Sequence, residues 1–335
     1  MSRIAVMGSG AWGTAIAISL ARRGGHRIGL WSYAKDVAQT MREQRENAAF
    51  LPGFEIPNSV AVFEDAAEAL DGAEIVLSVT PSQFVRSSYE GFAPHLRAGQ
   101  LLVSATKGIE DETYLRMTQV IDEVLAKRGM KLPCGVLSGP SFAQEVAAGA
   151  PTAITIASAD AQLAARVQRE FSSGTLRLYT NDDVVGVELG GSLKNVIAIA
   201  AGIVAGLGLG FNSNAALITR GMAEITRLAV ACGGRRDTLA GLSGIGDLVL
   251  TCTGSLSRNR TVGMGLGQGR KLDEILAGLE GRVAEGVRTT SAALGLARKH
   301  SVEMPIAEQM EAILTRGKAA ERAIQELMLR PGRDE

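Results

Sequence analysis

Short apolar runs alternate with longer amphipathic stretches through the first half of the chain. Runs rich in Val, Ile and Leu occupy 4–7, 27–31, 74–79, 101–105, 135–138 and 152–157. Between them, helical spacing of apolar positions covers 12–23, 36–47, 82–96, 113–128 and 161–171. Strands that are apolar without alternation are buried on both faces, so the pattern predicts a parallel sheet wrapped by helices on either side. From Val184 onward the pattern is helical alone, over 184–207, 214–232, 261–267, 289–299, 306–315 and 319–329, and no strand is expected after Leu178. The 335 residues are also about twice the ~150-residue prior for one domain. The expectation is an α/β fold: a doubly wound parallel-sheet domain over 1–183, then an all-helical domain over 184–330, with 331–335 as a frayed tail.

Composition narrows the partners. Lys plus Arg and Asp plus Glu are 35 each, so the basic excess of a general nucleic-acid or anionic-membrane binder is missing. Aromatic residues are 4% of the chain, too few to stack a single strand of bases. Cys134, Cys232 and Cys252 are far apart and form no Cys-x-x-Cys pair. They suit a reducing cytoplasm and neither a disulfide framework nor a zinc site. His26, His95 and His300 are isolated, so a His-centred mechanism is not expected.

Two uncharged stretches need separate treatment. Ile4 to Ala21 is interrupted by Gly8, Gly10 and Gly13 and followed by Arg22 and Arg23, unlike a cleavable leader. Asn195 to Thr219 holds three Asn, a Ser and four glycines, which fits two helices around a glycine bend better than a membrane span. No stable membrane insertion is expected. The 40 glycines exceed the roughly 7% average and call for sharp turns and close backbone contacts.

Gly8-Ser9-Gly10-Ala11-Trp12-Gly13 directly follows the first strand and opens a helix. In a Rossmann-type domain each glycine of such a G-x-G-x-x-G has a task. Gly8 makes the tight turn, Gly10 admits a pyrophosphate, and Gly13 lets helix and strand pack closely. The helix start adds free N–H groups and a positive dipole. The acid that holds a ribose 2′-hydroxyl at the end of the second strand is missing: Trp31-Ser32-Tyr33 stands there, then Ala34 and Lys35. This permits a 2′-phosphate, with Lys35 or Arg22 as its attracting cation, although Lys35 reads equally well as a solvated helix-start charge. An acid placed at Ser32 is expected to turn preference toward NADH.

Four further segments read as site loops. Ala105-Thr106-Lys107-Gly108 and Ser138-Gly139-Pro140-Ser141-Phe142-Ala143 follow predicted strands, where ligands of open sheets collect. Gly190 to Asn195 puts Lys194 inside an apolar helix, facing a cleft rather than snorkelling outward. Gly244 to Thr253 precedes Ser257-Arg258-Asn259-Arg260, which stands at a predicted helix start. Backbone N–H groups, an Arg fork and an amide suit a phosphate dianion; the bland alternative is a capped, solvated loop. Cys252 reads as a small buried residue and not as a nucleophile.

These motifs together are similar to one family. Gly8-x-Gly10-x-Trp12-Gly13-Thr14-Ala15, Ala-Thr-Lys-Gly at 105–108, Ser-Gly-Pro-Ser-Phe-Ala at 138–143, Lys-Asn-Val-Ile-Ala at 194–198, Ala-Leu-Ile-Thr-Arg-Gly at 216–221, Gly-Asp-Leu at 246–248 and Ser-Arg-Asn-Arg at 257–260 stand in the order of the bacterial NAD(P)-dependent glycerol-3-phosphate dehydrogenases. The resemblance spans nearly the whole chain. It implies a cytoplasmic, often dimeric oxidoreductase that reduces dihydroxyacetone phosphate to sn-glycerol 3-phosphate for glycerophospholipid synthesis. NAD or NADP serves as cofactor, with NADPH expected to be used at least as well as NADH.

By motif match, Lys194 is the proton donor and acceptor. Lys107, Gly139, Ser141, Asn195, Asp247, Thr251 and Ser257 line the substrate, and Arg258 and Asn259 hold its phosphate. Gly8, Gly10, Ala11, Trp12, Gly13, Tyr33, Lys107, Ala143, Arg258, Val283 and Glu285 meet the cofactor. Ala11 departs from the Ser of many relatives. A nearby Lys107 and partial burial are expected to lower the pKa of Lys194, and Asp247 to raise it. Two other readings have discriminating features. A β-hydroxyacid dehydrogenase needs no phosphate receptor at Arg258 and Asn259, and a non-catalytic NAD(P)H sensor has no use for Lys194 and Asp247 together.

Overall fold

The computed structural model describes residues 1–279 and 283–331, so residues 332–335 of the expected frayed tail lie outside the described residues. Among the described residues ten strands occur: β1 Ser2–Met7, β2 His26–Trp31, β3 Glu46–Asn47, β4 Leu51–Glu55, β5 Val60–Phe63, β6 Ile75–Ser78, β7 Leu101–Ser104, β8 Cys134–Ser138, β9 Thr152–Ala157 and β10 Leu176–Asn181. Eight of them form one sheet in the order β10-β9-β8-β7-β6-β1-β2-β5, and β3 pairs with β4 in a small antiparallel hairpin. Ranked by chain order, β5-β2-β1-β6-β7-β8 is the 3-2-1-4-5-6 arrangement of dinucleotide-binding sheets, whose order reverses between β1 and β6.

The sheet is buried on both faces, as its unbroken apolar runs require. Ile4, Val6, Leu30, Leu77 and Val103 pack on one side with Ile16 and Leu20 of the helix Ala11–Arg23. Ala5, Met7, Val76 and Leu102 pack on the other with Val85, Tyr89, Phe92 and Ile121. Each fully buried Ile, Leu or Val contributes roughly 1.5–3 kcal/mol, which is what holds the strand ends rigid enough to carry a site.

The structure corrects the expected sheet in two respects. β8 and β9 pair antiparallel, so β9 and β10 run opposite to the other six strands. The link from β8 to β9 spends only the short helix Ala143–Ala148, and antiparallel neighbours need no long crossover. Strands β5 and β10 were not expected. β10 lies at the sheet edge and alternates buried and exposed residues, without the continuous apolar run of an inner strand. The helix expected over 36–47 ends at Gln44, because Arg45 turns left-handed (φ 54°) and sends Glu46 and Asn47 into the hairpin.

Two compact units emerge: Met1–Lys107 with Leu115–Glu188, and Gly108–Tyr114 with the chain from Leu189 on. Relative to a division at 183/184, residues 184–188 stay with the first unit and 108–114 go with the second. Val184 and Val187 pack on Val136 and Ala157, and the Glu188 carboxylate accepts from the Thr118 amide (2.9 Å) and hydroxyl (2.8 Å) and pairs with Arg116. In the second unit, the Ser192 hydroxyl donates to the Gly108 carbonyl (3.1 Å), and a Cβ on Gly295 would sit 2.2 Å from the Tyr114 ring.

The second unit is helical, as the pattern from Val184 predicts. The helix Val184–Gly206, most of which belongs to it, is long and apolar enough to cross a membrane, but 89% of the qualifying window is buried inside the protein. The bend and second helix follow, the latter as Phe211–Ala231. Gly202 and Gly206 meet Gly263 and Gly267 of the helix Arg258–Gly267 at backbone contact. A Cβ on Gly202 would lie 2.1 Å from the Arg260 carbonyl, and one on Gly263 1.9 Å from that of Ile199. Small residues four apart on both helices let the backbones touch. That approach fixes where the 257–260 helix start stands relative to Lys194.

Candidate active site

In the first unit the candidate site is the loop after β1. Gly8 adopts φ +130°, closed to side-chain-bearing residues, and a Cβ there would meet the Val79 carbonyl at 2.9 Å. A Cβ on Gly13 would lie 1.9 Å from the Gly8 carbonyl oxygen, whereas one on Gly10 would meet nothing within 4 Å. The three glycines thus divide as the fingerprint requires: two for backbone packing, one leaving open space. The first helical bond runs from the Thr14 amide to the Gly10 carbonyl (3.0 Å). The amides of Ala11, Trp12 and Gly13 therefore have no acceptor inside the helix and suit an anion. These residues fit the pyrophosphate of a dinucleotide.

Neighbouring loops are laced to this one. The Trp12 indole donates to the Ser141 hydroxyl (3.2 Å), which donates to the Gly139 carbonyl (3.1 Å); Lys107 Nζ donates to the same carbonyl (3.3 Å). Ala143 opens its helix against the first face's core. At the end of β2, Ser32 is buried, accepts from the Ser9 hydroxyl (2.7 Å) and donates to the Ala34 carbonyl (3.0 Å). Tyr33 is the exposed position there, at 87%, and Lys35 opens the next helix in solvent. Two expectations change. Ser32 is buried against Ser9 of the glycine loop and leaves Tyr33 as the solvent-facing position, and Arg22 lies in the last turn of its helix, far from Gly10, donating to the Ala147 carbonyl.

The helical unit builds its part from side chains. Lys194 is 6% exposed; its ammonium donates to Asp247 Oδ1 and to the Thr251 hydroxyl, each at 2.6 Å. Thr251 spends its own proton on the Asp247 carbonyl (2.7 Å), so toward Lys194 it is an acceptor. A π-helical turn at Leu242–Gly246 delivers Asp247. Gly190 allows that turn to approach, since a Cβ there would lie 2.6 Å from the Ser243 carbonyl. Cys252 is buried nearby, and desolvation pushes its thiol up to about 12 against the opposing pull of Lys194, so it stays protonated.

Next to Lys194, the Asn195 side-chain oxygen accepts from Asn259 Nδ2 (3.0 Å), and Asn259 Oδ1 accepts from the Gly286 amide (2.9 Å). Asn259 keeps one amide N–H beyond these bonds. Ser257 caps the helix by accepting from the Arg260 amide (3.2 Å), and Arg258, the first helical residue, is exposed. Glu285 opens the helix Glu285–Lys299, two residues after the half-buried Val283.

Buried anchors escaped the sequence reading. Asn47 holds the glycine loop, and Glu224 accepts from the Ile306 (2.7 Å) and Ala307 (3.4 Å) amides at the start of the helix Pro305–Arg316. A polar residue inside a helical pattern carries no mark of burial, although Pro305 as a helix start did signal amides in need of a cap.

The chain matches the family model for the N-terminus of NAD-dependent glycerol-3-phosphate dehydrogenase over residues 3–164 and that for its C-terminus over 183–325. It is 65% identical over 338 residues to the glycerol-3-phosphate dehydrogenase [NAD(P)+] of Acidobacterium capsulatum, covering 100% of each chain. To that of Koribacter versatilis it is 62% identical, covering 100% of this chain and 99% of the relative. Among solved structures, glycerol-3-phosphate dehydrogenase from Coxiella burnetii superposes with a TM-score of 0.94 at 40% identity, covering 98% of this chain and 99% of that one.

Proposed function

Since the chain belongs to the NAD-dependent glycerol-3-phosphate dehydrogenase family, we propose that it interconverts dihydroxyacetone phosphate and sn-glycerol 3-phosphate with Lys194 as its proton donor and acceptor. The carrying observation is the buried Lys194–Asp247–Thr251 cluster, joined through Asn195 and Asn259 to a capped helix start. When bound, NAD(P)H supplies the hydride. The amides of Ala11, Trp12 and Gly13 would hold its pyrophosphate.

Reduction builds negative charge on the ketone oxygen, and the Lys194 ammonium stabilises that charge and then protonates it. Asp247 and Thr251 each accept one of its N–H bonds and aim the ammonium. In the reverse direction the amine takes the proton back. Proton transfer of this kind is typically worth ~10²–10⁴ in rate. Arg258, the free N–H of Asn259 and the first-turn amides take the phosphate, which a carboxylate substrate would not need. By motif match, Gly139, Ser141, Ser257 and Lys107 would meet the substrate, and Tyr33, Ala143, Val283 and Glu285 the cofactor.

NADPH is used at least as well as NADH, because no acid stands at 31–33 and Lys35 lies in solvent nearby. The enzyme acts as a cytoplasmic homodimer that feeds glycerophospholipid synthesis; sedimentation at micromolar concentration tests the dimer. The decisive assay is NADPH consumption on adding dihydroxyacetone phosphate. Absence of turnover, with cofactor binding intact, would return the chain to the sensor reading.

A further inference from the structure

We propose that Asn47, from the small hairpin outside the main sheet, is a positioning residue that presets the glycine loop for the cofactor's pyrophosphate. The inference rests on the reading of Gly8–Gly13 as the pyrophosphate loop. Asn47 is 1% exposed, and its Nδ2 donates to the Ser9 carbonyl (2.7 Å) and to the Thr14 hydroxyl (2.8 Å). Thr14 in turn donates to the same Ser9 carbonyl (3.2 Å), and the Ser9 hydroxyl is held by Ser32. Ser9 stands between the two glycines that shape the loop, so both of its oxygens are fixed before any ligand arrives.

The consequence is directional. The Ser9 carbonyl is turned to Asn47 and Thr14, away from the amides of the first helical turn. A carbonyl left to rotate there would present its negative end to an incoming diphosphate. Tying it back leaves donors alone facing the ligand, and the ordering cost is met during folding instead of on binding.

The hairpin is built to hold that amide still. Asn47 Oδ1 accepts from the Phe50 amide (3.2 Å), fixing which end of the side chain donates. Leu51 and Ile56 sink into the same core as the helix Ala11–Arg23. Arg45 donates to the carbonyls of Ile56 (3.1 Å), Pro57 and Val60 (2.9 Å), closing the base of the hairpin. A dinucleotide-binding sheet does not need this hairpin to complete its strand order. Its buried Asn47 amide donates to the loop and to Thr14.

The test uses the full-length protein and ADP-ribose, a probe that carries the pyrophosphate and no nicotinamide. N47D is nearly isosteric and keeps the acceptor for Phe50, but it cannot donate to Ser9; N47A removes both. Each is expected to weaken ADP-ribose roughly tenfold or more by calorimetry, and to raise KM for NADPH similarly. KM for dihydroxyacetone phosphate should stay within about twofold and kcat at saturating cofactor within about threefold. A role in packing alone would lower the melting temperature without this split.

G10V is the companion variant, since a Cβ at Gly10 has nothing beyond its chain neighbours within 4 Å. If G10V abolishes ADP-ribose binding while folded N47D binds normally, Asn47 is not a positioning residue. If G10V also binds normally, the pyrophosphate reading itself falls.

Discussion

In the loop after β1, the groups offered to a ligand are backbone amides, and the residues that shape it are those without side chains. In the helical unit the reverse holds: Lys194, Asp247, Thr251, Asn195 and Asn259 meet side chain to side chain, all of them buried. On the proposed reading, the first arrangement would bind by shape and fail when a Cβ is added. The second would do chemistry and fail when a functional group is removed from an intact scaffold. Cofactor affinity and turnover are therefore expected to separate, the first moved by changes in the glycine loop and the second by changes at Lys194.

The sharpest separation is expected at Lys194. Lys194→Ala should lower kcat by ~10²-fold or more, with cofactor affinity changed only a few-fold, because the loss falls on proton transfer. It also strands a buried Asp247, and breaking such a pair typically costs ~3–5 kcal/mol, so a lower melting temperature should accompany it. Near wild-type turnover in a folded variant would remove Lys194 from the mechanism.

A smaller effect belongs to Arg258. Losing a charge-assisted contact worth ~1.5–3 kcal/mol should reduce kcat/KM for dihydroxyacetone phosphate roughly 10–150-fold in Arg258→Ala. Unphosphorylated dihydroxyacetone should lose far less. Equal losses on both would mean that the guanidinium does not read the phosphate.

The same contrast explains what was legible in the sequence. The glycine fingerprint announced itself because φ +130° at Gly8 and a 1.9 Å approach at Gly13 tolerate one residue type, and inner strands because burial on two faces leaves unbroken apolar runs. Lys194 stood out as a charge in an apolar helix. Strand β10 was missed because an edge strand with one buried face reads as Leu-Arg-Leu-Tyr, and the reversal at β9 because strand direction leaves no trace in composition. Asn47 and Glu224 were invisible because a buried, bonded polar residue looks in sequence like a solvated one. Ser32 shows the cost of that blindness: its position at the strand end was right and its direction was not.

Cofactor choice is expected to move less than either catalytic property. With Ser32 turned inward, the acid that would repel a 2′-phosphate belongs at the exposed Tyr33. Tyr33→Asp should shift the NADPH to NADH ratio of kcat/KM toward NADH by roughly tenfold, about 1.4 kcal/mol. A wild type that already favours NADH more than ~10-fold would refute the strand-end reading.

A separate effect falls on stability and not on activity, and it sets one buried carboxylate of each unit against the other. Glu188 caps a helix with Arg116 as its ion-pair partner, whereas Glu224 caps the helix at Pro305 with backbone amides. Desolvation raises the Glu224 pKa from the ordinary 4.5 to about 7, overriding the Ile306 and Ala307 amides and Arg227, which pull it down. The folded state then keeps a proton that the unfolded chain has released, so stability must fall as pH rises from about 4.5 through about 7 and level off above. At 1.36 kcal/mol per pKa unit the ceiling is roughly 3 kcal/mol, and relaxation around a buried group makes about 1–3 kcal/mol the expected loss. Glu224→Gln keeps an acceptor for Ile306 and cannot titrate. Urea unfolding of both proteins at pH 5, 6, 7 and 8 isolates the effect, because every other titrating group cancels in the difference. The wild type should lose ground to the variant across that interval, and a constant difference would show that Glu224 is already ionised throughout.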